Sequence, residues 1–390
     1  MARAEKAPEV ASPAPALTDP EAGGGTLTID LGAIEANWRT LARVIVPAEC
    51  AAVVKVDAYG LGLEPITAAL TRAGCKTFFV ADIGEARRVR ACAREAAIYV
   101  LNGFSPGGAP AFIELNARPV INSMTELAEW DAFVAARNWQ EGAALHVDTG
   151  MNRLGISVAE AAALGPRVQK ENHGITLLMS HLACAEIADS PVNNVQIRLF
   201  REVRALYPGV PASLANSSGI FLGSSTHYDM ARPGAALYGI NPTPGSHNPM
   251  REVVELTGRI LQVRNVRQGD TVGYGATWTA KRPSRIAVAA LGYADGLMRA
   301  ASSAERERRG MAIVAGKRCP FAGRISMDLV CIDTTEISEG VVRRGDLATF
   351  IGAGITVDDV AESAQTIGYE ILTRLGQRCR LVHRRADPDA

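Results

Sequence analysis

A chain of 390 residues, 47 % of them hydrophobic, can bury large cores, and its length favours two domains over one. Its 41 Lys and Arg are matched by 41 Asp and Glu, so it lacks the one-sided basic field that nucleic-acid or anionic-membrane binding requires. Seven scattered cysteines without a C-x-x-C pair argue against a disulfide framework or a zinc site, and no long uncharged apolar run offers a membrane span. Reduced thiols and a cytoplasmic location are the expectation.

The first 25 residues, rich in Ala, Pro, Glu and Gly, lack the apolar core of a secretory signal and read as a disordered tail. Ile29–Val44 reads as a lead-in helix, with Ile34, Trp38, Leu41 and Ala42 at helical spacing. Short apolar runs then alternate with helical patterns such as Ser123–Asn138 and Val192–Tyr207. The predicted strands are Ala52–Val56, Thr77–Ala81, Ile98–Leu101, Pro119–Asn122, Leu145–Thr149, Thr176–Leu182, Ser213–Ser217 and Asp229–Gly234. Eight strands alternating with helices suggest an α/β fold of the (β/α)8 TIM-barrel type, with an open doubly wound sheet as the alternative. The pattern changes after the Pro/Gly-rich Asn241–Pro249. Gly-punctuated β-rich runs follow, and Val357–Ile367 reads as a helix before a closing Gly-Tyr-Glu. The expected organisation is a tail over 1–25, a barrel over 26–248 and a smaller all-β domain over 249–390.

Alternation along the first strand points Val54 and Val56 toward the helices and Val53, Lys55 and Asp57 inward. A Lys buried at the C-terminal end of a barrel strand is costly unless paired or used. Desolvated, it loses proton affinity and becomes a nucleophile able to form a Schiff base. An interior ion pair between Lys55 and Asp57 accounts for the same spacing equally well.

Lys55-Val-Asp-Ala-Tyr-Gly-Leu-Gly62 opens a series of distinctive segments. Val147-Asp-Thr-Gly-Met-Asn-Arg-Leu-Gly155, Met179-Ser-His-Leu-Ala183, Leu214-Ala-Asn-Ser-Ser218 and Met230-Ala-Arg-Pro-Gly234 follow it. Later come Val272-Gly-Tyr-Gly-Ala-Thr-Trp278, Gly292-Tyr-Ala-Asp-Gly296, Gly323-Arg-Ile-Ser-Met-Asp328 and Ile367-Gly-Tyr-Glu370. In this order, from about residue 27 to the end, they resemble the alanine racemase family, fold-type III racemases dependent on pyridoxal 5'-phosphate (PLP).

That resemblance implies reversible racemisation of L-alanine to D-alanine, for peptidoglycan or for D-alanine catabolism, in a homodimer with shared sites and no metal. It makes Lys55 the lysine that carries PLP. Tyr59, Ser217, Gly234, Ala235 and Tyr369 then belong to the phosphate, with Asn216 beside them. His181 stacks on the pyridine ring; taken alone it reads as a satisfied core histidine. The expected phosphate site after strands seven and eight agrees with the usual place in a TIM barrel. Arg232 faces the pyridine nitrogen, where a guanidinium can only donate and leaves that nitrogen unprotonated, restraining side reactions. Racemisation needs a base on each face of the substrate. Lys55 serves one, and the resemblance implies that Tyr274 of the partner subunit serves the other. Arg153 and Met327 are the implied contacts of the substrate carboxylate, and Tyr293, Arg324 and Asp328 are implied to line the access path.

One departure stands out. Many of these racemases place a carbamylated lysine two residues before Asp-Thr-Gly, where this chain has His146, expected in the barrel interior beside a buried Arg153. Three other readings share parts of the pattern. A PLP decarboxylase of similar architecture would need an acid opposite the pyridine nitrogen, and a non-catalytic PLP-binding barrel would lack the β domain. A racemase of broader amino-acid specificity fits the motifs as well as an alanine enzyme does.

Overall fold

A computed structural model describes residues 24–137, 142–170, 174–304, 309–376 and 378–385. The first 23 residues of the expected tail lie outside them. All eight expected strands form. Ala52–Val53, Thr77–Val80, Ala97–Val100, Arg118–Ile121, Ala143–Asp148, Ile175–Met179, Ala212–Ser213 and Met230–Ala231 run parallel, each beside its sequence neighbour. Glu49–Cys50, just before Ala52, pairs with Met230–Ala231, so the first strand touches both the second and the last. The sheet therefore closes, and the open doubly wound alternative is excluded.

Parallel strands buried on both faces carry near-continuous apolar runs, and alternation sorts them into two layers. Phe79, Tyr99, Val120, Ala144, Leu177, Met179 and Met230 pack together inside the barrel. Their neighbours Phe78, Ile98, Ile121, Leu145 and Leu178 join the larger core beneath the helices. The seventh and eighth strands are shorter than expected. Residues 214–217 and 232–234 leave the sheet and become the loops that build the site.

The chain's opening segment differs from its expectation. Gly25–Asp30 is a strand with alternating burial, antiparallel to Val254–Val266 and parallel to Arg380–Arg384. The helix begins only at Leu31, because the Asp30 carboxylate caps it by accepting from the amides of Gly32 (2.8 Å) and Ala33 (3.0 Å). The remaining C-terminal strands are mostly antiparallel, and the expected late helix is shorter than predicted, at Val357–Ser363. The closing Gly-Tyr-Glu starts another helix, Gly368–Arg374. It lies against the turn after Lys55: a Cβ on Gly60, whose φ is +82°, would sit 2.9 Å from the Leu372 carbonyl oxygen. That contact brings Tyr369 to the mouth of the barrel. No described helix is long and apolar enough to cross a membrane.

Candidate active site

A cavity of about 720 Å³ opens at the C-terminal ends of the barrel strands. Lys55 projects into it directly after the first strand, joined by Tyr59, His181, Asn216, Ser217, Arg232, Gly234, Ala235 and Tyr369. Arg153 and His146 complete one wall. Burial, then the Arg153 guanidinium, lowers the Lys55 ammonium below its usual range, while Glu85 opposes them. The shift is in the direction that makes the amine a better nucleophile.

The inward alternation expected at Lys55 stops there. Val56, Asp57, Ala58 and Tyr59 adopt φ of 53–59°, one turn of left-handed helix made without glycine. At roughly 1–2 kcal/mol per residue, such a turn persists only when its surroundings hold it. The Ala58 amide donates to the Val54 carbonyl (2.9 Å) and that of Gly62 to the Asp57 carbonyl (3.0 Å). The Asp57 carboxylate leaves the barrel interior: it accepts from Arg88 (2.6 Å) and from the Leu63 amide (3.1 Å). The Lys55–Asp57 ion pair is therefore not formed. Val56, expected among the helices, borders the cavity and is half exposed. Turned by this path, Tyr59 packs against Tyr238 and Tyr369, with ring centroids 4.6 and 6.0 Å away.

Tyr59, Ser217 and Gly234 form the phosphate-like end. A Cβ on Gly234 would lie 2.3 Å from the Tyr59 hydroxyl, so glycine is required for this approach. Ser217 Oγ accepts from the amides of Gly234 (3.0 Å) and Ala236 (3.1 Å), which engages the Gly234 amide within the protein. Burial pushes the Tyr59 and Tyr369 hydroxyls up, so both stay protonated donors. Asn216 Oδ1 accepts from the Gly219 amide (2.9 Å) and shapes the loop.

At the other end Arg232 is 4 % exposed and faces no carboxylate among the described residues. Its guanidinium donates to Ser213 Oγ (2.6 Å), the Ser180 carbonyl (2.6 Å) and His181 Nδ1 (3.4 Å), and lies over the Phe79 ring. Burial brings it down to about 10, still protonated at neutral pH. Burial and Arg232 together hold His181 well below its usual value, so its ring is neutral. Accepting at Nδ1 puts its proton on Nε2.

His146 lies in the wall where alternation placed it. Asn122 spends its Nδ2 on the Leu101 (3.2 Å) and Val120 (2.9 Å) carbonyls, so its Oδ1 accepts from His146 Nδ1 (2.8 Å). Burial, then Arg232, lowers His146 to about 4. The neutral ring presents Nε2 as an acceptor. Arg153 differs from its expectation: it is exposed at the cavity mouth and has no ion-pair partner among the described residues. Asp148, the carboxylate closest in sequence, instead accepts from the amides of residues 150–152 and shapes that loop.

Tyr274, Met327 and Tyr293 are not in this cavity. Tyr274, 69 % exposed, tops a turn of the β domain, and Gly323 packs under that turn, where a Cβ would lie 2.5 Å from the Val272 carbonyl oxygen. The Tyr293 and Ala294 amides donate to the Ser326 (3.0 Å) and Met327 (2.9 Å) carbonyls, and Arg378 donates to Asp328 (2.7 Å). The structure thus gathers the implied site residues into two groups, one in the barrel mouth and one on the exposed β-domain surface.

Sequence reasoning missed Asn122, Tyr238 and Glu85. Glu85 stands three residues after the helix-capping Asp82, a pattern that marks a helix start and nothing more.

The barrel-mouth residues fit PLP. An amine, a glycine-floored cradle of three hydroxyls and an acid-free arginine lie around one cavity large enough for the cofactor.

Residues 29–242 match the family model "Alanine racemase, N-terminal domain" and residues 253–383 match "Alanine racemase, C-terminal domain". An alanine racemase of Methylobacterium sp. (strain 4-46) is 54 % identical over 355 residues, covering 91 % of this chain and 96 % of the relative. A catabolic alanine racemase of Mesorhizobium japonicum is 47 % identical over 359 residues, covering 92 % of each. The crystal structure of alanine racemase from Bartonella henselae, with covalently bound pyridoxal phosphate, superposes with a TM-score of 0.86 at 38 % identity, covering 93 % of this chain and 99 % of that one. The biosynthetic alanine racemase of Pseudomonas aeruginosa gives a TM-score of 0.85 at 33 % identity, covering 94 % and 100 %.

Proposed function

The chain belongs to the alanine racemase family, and we propose that it moves the α-proton of alanine between two side chains, Lys55 and Tyr274 of the partner subunit. It is a PLP-dependent enzyme that interconverts L- and D-alanine. The carrying observation is the composition of the barrel mouth: a lysine of lowered proton affinity shares the cavity with a buried arginine that has no acid partner among the described residues, and both histidines of the wall are neutral.

PLP, when bound, accepts the electron pair left on the α-carbon as its proton departs. Lys55 would hold the cofactor through its Nζ, and its amine would take or return the α-proton on one face. Tyr59, Ser217 and Tyr369 offer hydroxyls to the phosphate, and the Ala235 amide stands beside them. Arg232 would face the pyridine nitrogen, and because it stays protonated it could donate there without supplying an ionisable proton. Electron withdrawal is thereby limited, which favours reprotonation at the α-carbon over transamination. His181 Nε2–H and the neutral His146 add no charge to the ring's surroundings.

The second face needs its own base, and the family resemblance gives that role to Tyr274 of the partner subunit. Tyr274 stands exposed on the β domain beside a surface carrying exposed Met327, Leu329 and Tyr293, while exposed Val56, Leu154, Ile187 and Ile367 rim the barrel mouth. A second copy that joins these two surfaces covers apolar area on both and completes the site with the phenol of the partner's Tyr274 and the backbone amide of the partner's Met327. Arg153, free of ion pairs, is then available to the substrate carboxylate. A cytoplasmic location follows from the same role.

Two measurements test this reading. Borohydride reduction should fix the cofactor to the peptide containing Lys55; labelling of another lysine overturns the assignment. Tyr274→Phe should abolish racemisation yet keep exchange of the D-alanine α-hydrogen with deuterated water. Mixing it with inactive Lys55→Ala protein should restore activity in hybrid dimers, where one site regains both bases. Equal loss of exchange from both enantiomers, or no recovery between subunits that demonstrably mix, would refute the shared site.

A further inference from the structure

The turn after Lys55 places four consecutive non-glycine residues in the left-handed region, beside the lysine on which the reading above depends. Nothing local explains it: Val56 is β-branched and strongly disfavours this conformation. Two side chains of the helix Ile83–Cys92 reach the turn: Arg88 holds the Asp57 carboxylate, and Glu85 holds the backbone. Glu85 stands in the first turn of the helix Ile83–Cys92. Its Oε1 accepts from the Asp57 amide (3.0 Å), and its Oε2 accepts from the Ala81 amide (2.8 Å), at the end of the second barrel strand. The two carboxylate oxygens thus tie the turn to the neighbouring strand.

Glu85 is also the acid whose charge reaches Lys55. The charged and titratable groups around that lysine are Arg153 across the cavity, His181 just after the sixth strand and Glu85 from the helix Ile83–Cys92. Asp57, though closer in sequence, is engaged by Arg88 and the Leu63 amide. Burial and Arg153 both weaken Lys55 as a proton acceptor, and a lysine that must retrieve an α-proton needs an opposing charge.

We propose that Glu85 is a positioning residue of this active site: its carboxylate clamps the left-handed turn that aims Lys55 and Tyr59. The proposal rests on Lys55 as the cofactor lysine. Glu85 touches neither cofactor nor substrate, and it acts through the backbone at Asp57 and through the field at Nζ.

The test compares the wild-type holoenzyme with Glu85→Gln and Glu85→Asp by three readouts. These are the rate at which PLP is lost on dialysis, the pH midpoint of the lysine-bound cofactor's visible absorbance, and kcat against KM for L-alanine. Glu85→Gln removes the charge and leaves one amide facing an NH2 group. It should lower the midpoint by about one unit, a tenfold loss of proton affinity. PLP should leave about tenfold faster, as expected for one lost buried hydrogen bond. The kcat should fall while KM changes by less than about threefold, since a residue remote from the substrate does not alter uniform binding. Glu85→Asp keeps the charge but is one methylene too short to span both amides, so the midpoint should return while PLP still leaves quickly. A glutamine variant with wild-type midpoint and retention would overturn the proposal, as would an aspartate variant that repairs retention but not the midpoint. If the glutamine variant does not fold, the aspartate variant decides alone: fast PLP loss with a wild-type midpoint supports the clamp, and unchanged loss refutes it. Borohydride labelling of a lysine other than Lys55 in the wild type would instead overturn the premise.

Discussion

Gly234→Ala tests the phosphate end of the site with a single methyl group. The Gly234 φ is −128°, so alanine meets no left-handed penalty, and the effect is steric. The new Cβ would stand 2.3 Å from the Tyr59 hydroxyl, 3.1 Å from Tyr59 Cζ and 3.3 Å from Val53 Cβ. Relief requires the hydroxyl to move by about 1 Å, and Tyr59 is pinned against Tyr238 and buried. Overpacking of this kind costs roughly 1–3 kcal/mol of stability. Displacing a hydroxyl from a charged phosphate costs roughly 1.5–3 kcal/mol, which loosens the cofactor about 10- to 100-fold. The assay is titration of PLP into the cofactor-free variant, with thermal melts in parallel. Tyr59→Phe removes the atom that clashes, so the double variant should regain most of the lost stability. It should bind PLP no worse than Tyr59→Phe alone, a non-additivity expected of contacting residues. Additive losses in both readouts, or a Gly234→Ala protein that binds PLP like wild type, would refute the cradle.

Three further outcomes follow from the charges around the cavity. Arg232→Glu supplies an ionisable proton at the ring nitrogen, so transamination should rise relative to racemisation, measured as pyruvate formed per turnover; an unchanged ratio removes that role from Arg232. His146 is held at about 4 in the fold, while the unfolded chain takes up its proton near 6.5. His146 should therefore contribute a loss of roughly 3 kcal/mol as pH drops from about 6.5 to about 4, in addition to the loss from His181. His146→Gln should reduce the total loss in melts across this window, and an identical loss would exclude His146 as a source. Arg153, free of ion pairs and close to Lys55 and Arg232, should attract small monoanions. Chloride is expected to raise the KM for alanine, and Arg153→Met should abolish the salt effect while raising KM itself.

The barrel was legible because its signals are local. Each strand carries an apolar run long enough to read, and the loops after strands seven and eight announce themselves through Asn216-Ser217 and Arg232-Pro-Gly234. The left-handed turn was not. Val56, Asp57 and Tyr59 prefer extended backbone, and the groups that overrule them, Glu85 and Arg88, come from a helix about 28 and 31 residues downstream. Alternation therefore placed Lys55 correctly toward the barrel interior and failed at Val56 and Asp57, where the expected strand Ala52–Val56 has already given way to the turn. The Gly25–Asp30 strand was hidden for the same reason on a larger scale. Its register is set by Thr257 and Leu381, far along the chain, while its own residues lead smoothly into a capped helix. His146 illustrates the reverse case: parity placed it correctly in the barrel wall, and only the Asn122 amide reveals which nitrogen faces the cavity. Where a backbone departs from what its own residues favour, as at Val56–Tyr59, the strain has to be balanced elsewhere, and here the balance runs through Glu85, beside the lysine we propose carries the cofactor.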